Sequence, residues 1–227
     1  MYTQGAYLEK NPQWHTEDSA WKAAQIFKML KRNNLKPKSV CEVGCGAGEI
    51  LKQLQEQMDT EVIFRGFEIS PQAFDLCQSR ANEKLQFELA DILAKDAHFD
   101  LLLAIDLIEH IEDYPGFLRR LKPKGEFKIL HIPLELSAQT VLRESPILKA
   151  RADYGHLHFF TRGMALAALR DAGYEVLDDF YTAWAIELPP KTFKAKLARL
   201  PRRLLFSISP DWAARILGGC SLMVLAR

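Results

Sequence analysis

A short β-branched stretch that runs directly into three glycines is the feature that most constrains this fold. Residues 39–43 are predicted as a strand, and Gly44, Gly46 and Gly48 follow at every second position before a helical pattern begins. Glycines there let the backbone turn sharply and let a ligand lie against bare amide groups. Glu68 follows 20 positions after Gly48, at the end of the next strand-like run. This pattern predicts a nucleoside-containing ligand, with a carboxylate on its ribose hydroxyls.

The glycine spacing narrows the class of ligand. A dinucleotide-binding loop has its third glycine three positions after its second, and the helix N-terminus receives a pyrophosphate. Here Gly48 comes two positions after Gly46, and Glu42 and Glu49 flank the loop. Two carboxylates repel a pyrophosphate but suit a ligand with a cationic centre and an ammonium group. An NAD-dependent oxidoreductase is therefore the less favoured alternative.

On these residues the chain resembles the class I S-adenosylmethionine-dependent methyltransferases. Further matching segments extend the resemblance, in order, over about residues 38–132. They are Glu68-Ile69, Ala90-Asp91-Ile92, residues 99–102, Asp106-Leu107-Ile108-Glu109-His110 and the turn at 121–125. The resemblance implies S-adenosylmethionine as cofactor, with S-adenosylhomocysteine as the product.

The resemblance also implies a role for each matching residue. The glycines contact the amino-acid end of the cofactor, Glu68 accepts from both ribose hydroxyls, and Ile69 lies against the adenine. Asp91 accepts from the adenine amino group, although a helix cap is the alternative reading of that residue. The implied cofactor-binding set is Glu42, Gly44, Cys45, Gly46, Gly48, Glu68, Ile69, Asp91, Ile92 and Asp106.

Alternating strand and helix patterns with short connections predict an α/β fold with a doubly wound, mostly parallel sheet. Strands are predicted at about 39–43, 62–67, 85–89, 99–105, 126–132, 174–185 and 220–226, and helices at about 17–34, 48–57, 71–82, 114–121 and 162–172. The resemblance implies a seven-stranded, Rossmann-like sheet with strand 7 antiparallel. We expect one methyltransferase domain over 1–227, with a helical flap at 1–37, a lid insertion at 133–160 and a basic helical insertion at 188–219.

Composition argues against several classes of partner. The net charge of +1 gives no general attraction to nucleic acid, and no apolar run approaches the ~18 residues of a membrane span. Cys41, Cys45, Cys77 and Cys220 form no C-x-x-C pair, so we expect neither a metal site nor a disulfide. The first residues lack a signal-peptide pattern. Together these features predict a cytoplasmic protein.

Histidines are the candidate catalytic residues, because a general base is needed if the acceptor is a hydroxyl or an ammonium group. His156 and His158 flank Leu157 and would point the same way in an extended segment. His110 follows strand 4 directly, beside the implied methyl site. The alternative for all three is a structural or cofactor-pocket role, and His131 is predicted to be a satisfied core histidine.

Aromatic residues gather ahead of strand 1. Tyr7 or Trp14 could cover the cofactor sulfonium through a cation–π contact. The alternative is that the aromatics pack the first helix onto the sheet. The cluster comprises Tyr2, Tyr7, Trp14, His15, Asp18, Trp21 and Lys22.

A basic amphipathic segment lies between the last two predicted strands. Residues 189–217 carry seven Lys or Arg side chains against Asp211 alone. Phe193, Leu197, Leu200 and Leu204 recur at helical spacing beside the basic face. Such a helix can lie on an anionic membrane surface or bind a phosphorylated substrate, so 190–217 predicts peripheral contact with the inner face of the membrane. The alternative is a stripe packed on the sheet or on a second subunit.

These patterns together predict a methyltransferase that acts on a small molecule at oxygen, with a phosphorylated or lipid-linked saccharide as the sharper hypothesis. Asp106-Leu107-Ile108-Glu109 stands where adenine and glutamine amino-methyltransferases carry Asn/Asp-Pro-Pro-Tyr/Phe, which argues against that chemistry. The sequence has no basic patch interspersed with aromatic residues, which is the pattern typical of nucleic-acid-binding proteins. A non-catalytic S-adenosylmethionine-binding protein is the other alternative.

Overall fold

The computed structural model describes residues 14, 16–190 and 192–227, and within them seven strands form one sheet. The strand order is β3-β2-β1-β4-β5-β7-β6, and β7 alone runs antiparallel to the other six strands. The strands are β1 Ser39–Val43, β2 Ile63–Glu68, β3 Leu85–Leu89, β4 Phe99–Ile105, β5 Gly125–Leu134, β6 Val176–Thr182 and β7 Cys220–Ala226. The predicted fold class and the antiparallel seventh strand are confirmed.

Helices cover both faces of the sheet. They are α1 Ser19–Arg32, α2 Glu49–Gln55, α3 Pro71–Cys77, α4 Tyr114–Leu121, α5 Ala138–Arg143, α6 Ser145–Lys149, α7 Arg162–Asp171, α8 Trp184–Glu187, α9 Phe193–Ile208 and α10 Pro210–Leu217. Short 3₁₀ turns occupy Thr16–Asp18, Gln78–Arg80, Ile92–Ala94, Ile108–His110 and Lys122–Lys124, and a π-helical turn spans Ala150–Tyr154.

The alternation of side chains along β4 divides the core into two layers. Leu101 and Leu103 pack with α1 and α2 on one face of the sheet. Leu102 and Ala104 pack with α4 and α7 on the other. A strand buried on both faces needs a continuous apolar run, and residues 99–105 supply it.

Capping residues start the helices where the sequence predicts. The Ser70 hydroxyl accepts from the Ala73 amide at the start of α3, and Pro71 occupies the first turn. The Thr161 hydroxyl accepts from the Met164 amide at the start of α7. These local signals act within four residues, so they do not depend on the rest of the fold.

The carboxyl ends of β1 and β4 form the point at which the strand order reverses. β1 pairs with β2 on one side and with β4 on the other. The glycine loop at 44–48 leaves β1, and the segment 106–110 leaves β4. Ligands of doubly wound sheets bind at this position.

The two insertions and β6 differ in detail from the expected elements. β6 ends at Thr182, short of the predicted residue 185, because the chain turns into α8. The segment 133–160 contributes the end of β5, then α5, α6 and the π turn, while 188–219 forms α9 and α10. The proposed flap at 1–37 falls partly on residues 1–13 and 15, which lie outside the described residues. Across the described helices, none has both the length and the apolar character needed to cross a membrane.

Candidate functional site

A cavity of about 940 Å³ opens at the carboxyl ends of β1 and β4. The glycine loop and the ends of β1 and β2 border it. Residues of α5 and α6, together with Thr192 before α9 and Arg202 within it, also line the cavity. The sequence-predicted residues that line it are Glu42, Gly44, Cys45, Gly46, Glu68, Ile69, Asp106, His110 and His156.

The glycine loop has a left-handed backbone conformation at its glycines. Gly44 and Gly46 have φ of +66° and +54°, values that side chains with a Cβ rarely adopt. A Cβ added to Gly46 would lie 2.6 Å from Cδ1 of Trp14. Trp14 therefore lies against the loop and borders the cavity, as the aromatic-flap hypothesis requires. Tyr2, Tyr7 and His15 lie outside the described residues.

The Glu68 carboxylate is fixed by three backbone amides. The Gly46 amide donates to Oε2 at 2.9 Å, and the amides of Ile69 and Ser70 both donate to Oε1 at 2.8 Å. The side chain is only 6% exposed yet borders the cavity. Since each carboxylate oxygen can accept two hydrogen bonds, the two amides fill Oε1, and Oε2 retains capacity for one hydroxyl group that arrives from the cavity.

Glu42 is an orphaned buried carboxylate at the base of the cavity. It is 2% exposed, and its Oε2 has no hydrogen-bond partner among the described residues. Burial raises the pKa of Glu42 well above its usual range, although nearby Lys22 opposes that shift. A bound ammonium group would satisfy this oxygen and favour its charged form.

Asp106 joins the segment after β4 to helix α1 and to β5. Its Oδ2 lies 2.8 Å from Nζ of Lys22, and its Oδ1 lies 2.6 Å from Nδ1 of His131. Burial alone would raise the pKa of Asp106, but His131 and Lys22 outweigh burial and hold that pKa far below its usual range. Asp106 also has a φ of +47°, which is uncommon for a residue with a side chain.

His131 is a satisfied core histidine, as predicted. It is 2% exposed, and its second ring nitrogen lies 2.8 Å from Oγ1 of Thr182 on β6. Both ring nitrogens therefore have partners, and the ring holds Asp106 rather than facing an acceptor.

A second polar cluster combines Glu109, His110, His156 and Glu135 beside the same cavity. Nδ1 of His156 lies 2.7 Å from Oε2 of Glu135, and the His110 and His156 rings meet edge to face with centroids 4.8 Å apart. Glu109 is completely buried, and burial, with a further contribution from Asp106, raises its pKa well above its usual range. The cluster can exchange protons or bind a cation.

His158 does not share this environment. Its Nε2 lies 3.1 Å from the Glu112 carbonyl oxygen, and its ring packs against Tyr114 with centroids 4.7 Å apart. It is not among the described residues that line the cavity. The prediction that His156 and His158 point the same way is wrong, because the two amides of Leu157 and His158 both donate to the Glu109 carbonyl and bend the segment.

Three of the predicted cofactor residues lie away from the cavity lining in the described part of the chain. Asp91 is exposed, and its Oδ1 accepts from the Leu93 amide at 2.9 Å, so it caps the 3₁₀ turn. Ile92 is fully buried in the core. Gly48 has a φ of +76° and closes the loop against Phe87 and Cys77. Gly48 therefore shapes the loop, and Asp91 serves as the cap that the alternative reading described.

Part of the site has no motif in the sequence. Lys22 belongs only to the aromatic cluster ahead of strand 1, and Glu135 and Thr182 match no pattern. The spacing of Asp106, Glu109 and His110 did carry a signal for Glu109, since all three follow one strand. Glu135 had no signal, because its partner His156 lies 21 residues further along the chain.

The sequence of this chain is similar to those of known methyltransferases. A family model described as a methyltransferase domain matches residues 14–179, well over half of the chain. Norajmaline N-methyltransferase from Rauvolfia serpentina is 33% identical over 193 residues, which cover 78% of this chain and 59% of the relative. Ubiquinone biosynthesis O-methyltransferase from Coxiella burnetii is 29% identical over 102 residues, which cover 40% of this chain and 42% of the relative. The chain thus spans about three fifths of the first relative's length and less than half of the second's.

A solved structure shows the same fold. Magnesium protoporphyrin IX methyltransferase from Synechocystis, crystallised with SAH bound, superposes with a TM-score of 0.61 at 16% sequence identity. The match covers 91% of this chain and 82% of that one. At this identity the likeness concerns the architecture.

Proposed function

Because this chain belongs to the class I S-adenosylmethionine-dependent methyltransferases, we propose that it transfers a methyl group to an oxygen atom of a small-molecule acceptor. The observation that carries the proposal is that the glycine loop and the residues Glu109, His110 and His156 line one and the same cavity. A cofactor end and an acceptor end therefore share the same space.

S-adenosylmethionine is the cofactor of this family, and the residues at the cofactor end fit it. Glu42 offers an orphaned carboxylate oxygen for its ammonium group, and Oε2 of Glu68 offers one remaining acceptor position for a ribose hydroxyl. The loop at Gly44 and Gly46 exposes backbone without a Cβ. When bound, the cofactor supplies a methyl group already activated on a sulfonium, so the protein mainly positions the reactants and excludes water.

The acceptor end is proposed to activate a hydroxyl group. A hydroxyl must lose its proton as its oxygen attacks, and groups that assist this loss contribute about 10²–10⁴-fold to the rate. His110 and His156 are the candidates, since both border the cavity and Glu135 orients His156. His158 is not proposed for this role, because its ring lies against Tyr114.

The rim of the cavity supports an acceptor that carries phosphate. Arg143 and Lys149 from the lid and Arg202 from α9 all border the cavity. A guanidinium group matches the geometry of phosphate oxygens and can donate two parallel hydrogen bonds to them. A phosphorylated or lipid-linked saccharide would place its phosphate here and its hydroxyl near His156.

Helix α9 supports contact with an anionic membrane surface. Its five stripe residues are 59–81% exposed, so the stripe is not packed on the sheet. They are Phe193, Leu197, Leu200, Leu204 and Ile208. Lys194, Lys196, Arg199 and Arg203 flank this stripe. An apolar face beside basic side chains fits acyl chains below anionic headgroups, and Thr192 at the start of α9 borders the cavity.

The first test is calorimetric titration with S-adenosylmethionine and, in parallel, with NAD. Saturable binding of S-adenosylmethionine alone is expected. Labelled-methyl transfer is then measured for matched hydroxyl and amine acceptors, each with and without a phosphate group. Amine acceptors are the second candidate because norajmaline N-methyltransferase is a relative. Transfer to amines alone would overturn the oxygen assignment.

The activation step has its own test. His156→Ala is expected to lower turnover by about 10²-fold or more while the affinity for S-adenosylmethionine stays unchanged. His98→Ala is the matched control, since His98 is exposed and precedes the amino end of β4, opposite the site. Full activity in the His156 variant would reduce the cluster to a structural role.

A further inference from the structure

We propose that Glu109, His110 and His156 bind a divalent transition-metal ion at the acceptor end of the cavity. This inference rests on the proposed function, because the ion would serve the same acceptor hydroxyl, with His110 and His156 assisting its proton loss as ligands of the ion and not as proton acceptors. The scattered cysteines of the sequence predicted no metal site, and that prediction did not consider carboxylate and histidine ligands from distant segments. The structure instead brings together three ligands whose residues are separated by up to 47 positions in the sequence.

The spacing of the three side chains fits a single ion. One carboxylate oxygen of Glu109 and one nitrogen of each imidazole all lie within 4.8 Å of one another. Ligand atoms around one cation, with bonds of about 2.0–2.2 Å, lie about 3–4 Å apart. Nε2 of His110 is 3.9 Å from Oε1 of Glu109, so small side-chain rotations would bring the three ligand atoms to the separations found around one ion.

Glu109 provides the independent sign that a cation belongs here. Its side chain is 0% exposed, and neither carboxylate oxygen has a hydrogen-bond partner among the described residues. A buried carboxylate without a partner is costly, and coordination of a metal ion is one of the few ways to satisfy it. Asp106 is not available as a ligand in the same way, since Lys22 and His131 already engage its two oxygens.

The hydrogen bonds of the two histidines are compatible with coordination through Nε2. Nδ1 of His156 lies 2.7 Å from the Glu135 carboxylate, and Nδ1 of His110 lies 3.4 Å from the Gly155 carbonyl oxygen. Both partners are acceptors, so each Nδ1 carries the proton and each Nε2 keeps its lone pair. Metal-binding histidines typically donate their other ring N–H to a carboxylate or a backbone carbonyl in this way.

The three ligand types indicate which metal ions the site would bind and what the ion would do to the acceptor hydroxyl. Two imidazoles and one carboxylate suit Zn²⁺, Mn²⁺, Fe²⁺ or Co²⁺ better than Mg²⁺ or Ca²⁺, which prefer oxygen ligands. Three protein ligands leave coordination positions open toward the cavity, as in catalytic sites. A hydroxyl bound there has a lower pKa. Its proton leaves to solvent, its oxygen forms the bond to the methyl carbon, and the carbon–sulfur bond breaks with its electron pair on sulfur.

The test is titration of tag-free, chelator-treated full-length protein with Zn²⁺, Mn²⁺ and Co²⁺, followed by calorimetry and by the visible spectrum of Co²⁺. One ion per chain is expected. Glu109→Gln and His156→Ala should weaken binding at least tenfold. Glu135→Gln should weaken it about 10–100-fold through the orientation of His156. The control His98→Ala should bind as wild type does, because His98 lies at the opposite end of the sheet.

Three outcomes would overturn the metal site: no saturable binding to the wild type, unchanged affinity in both ligand variants, or a Co²⁺–thiolate charge-transfer band, which would place the ion on cysteine. S-adenosylmethionine binding, measured on the same samples, separates the two proposals. If the protein binds S-adenosylmethionine but no metal ion, only the metal-site proposal is wrong. If it binds the metal ion but not S-adenosylmethionine, the proposed methyl transfer is wrong, and the metal-binding site itself is still supported.

Discussion

Nζ of Lys22 lies 2.8 Å from Oδ2 of Asp106, which ties helix α1 to the segment that leaves β4. Asp18 approaches the same ammonium group at 3.2 Å. Burial alone would lower the pKa of Lys22, but Asp106 and Asp18 outweigh it and raise that pKa. Lys22 and Asp106 both border the cavity, so this ion pair supports the wall between the glycine loop and the acceptor end.

Loss of the Asp106 charge should destabilise the fold. Asp106→Asn leaves Lys22 buried with one carboxylate partner, and we expect the free energy of unfolding to fall by ~2–4 kcal/mol. Urea denaturation measures this change. The control is Glu61→Gln, whose partner Lys84 lies in a solvent-exposed pair, and a change within about 0.5 kcal/mol is expected there. Equal effects of both variants would contradict the importance of the Asp106 pair.

The contribution of Asp106 to the free energy of unfolding should decrease at low pH. Because the folded pKa of Asp106 is lowered, its contribution is fully present above the unfolded value of ~3.9 and is lost progressively as the pH falls from that value toward the much lower folded pKa. The difference in free energy of unfolding between wild type and Asp106→Asn should therefore be largest near neutral pH and shrink below about pH 4. A difference that is the same at pH 6 and pH 3 would contradict this assignment.

Glu68→Gln should weaken S-adenosylmethionine binding by ~1–3 kcal/mol. The substitution keeps the shape of the side chain but removes the charge that strengthens its hydrogen bonds to hydroxyls. Calorimetric titration measures the affinity. Glu88→Gln is the matched control, because Glu88 is a half-exposed partner of Lys95 on β3. Unchanged affinity in the Glu68 variant would remove the ribose assignment.

Gly46→Ala should lower the affinity for S-adenosylmethionine at least about tenfold. The new Cβ would meet Trp14, and a φ of +54° strains any residue with a side chain. Gly163→Ala serves as control, since the nearest atom to its added Cβ is Oγ1 of Thr161 at 3.9 Å. If both variants bind the cofactor as wild type does, the loop does not approach the cofactor closely.

Leu197→Glu and Leu200→Glu should abolish sedimentation with anionic vesicles while the free energy of unfolding changes by less than about 0.5 kcal/mol. Both side chains are exposed, so no packing is lost. Leu177→Glu is the control, because Leu177 is an exposed apolar residue near the amino end of the edge strand β6. If the wild-type protein stays in the supernatant, the proposed contact of α9 with a membrane is wrong. If the two variants change the oligomeric state, the result favours packing of α9 against a second subunit.

Local patterns predicted much of the fold correctly. The apolar run at 99–105 marked a central strand, Ser70-Pro71 and Thr161 marked helix starts, and the glycine spacing marked the loop after β1. Each signal depends on residues a few positions apart. For the same reason the sequence does not distinguish an adenine ligand from a helix cap at Asp91, because both have the same local sequence.

The amino-acid sequence by itself determined the alternation of strands and helices and the glycine loop, since backbone conformation and side-chain periodicity act over short distances. The antiparallel seventh strand and S-adenosylmethionine followed from the resemblance of its motifs to a family. Only the tertiary structure decided that Glu135 orients His156, that Lys22 neutralises Asp106 and that His158 turns away toward Tyr114. It also decided that the stripe on α9 faces solvent. These features join segments far apart in the chain, and no local spacing specifies which buried charges meet or which apolar face is covered.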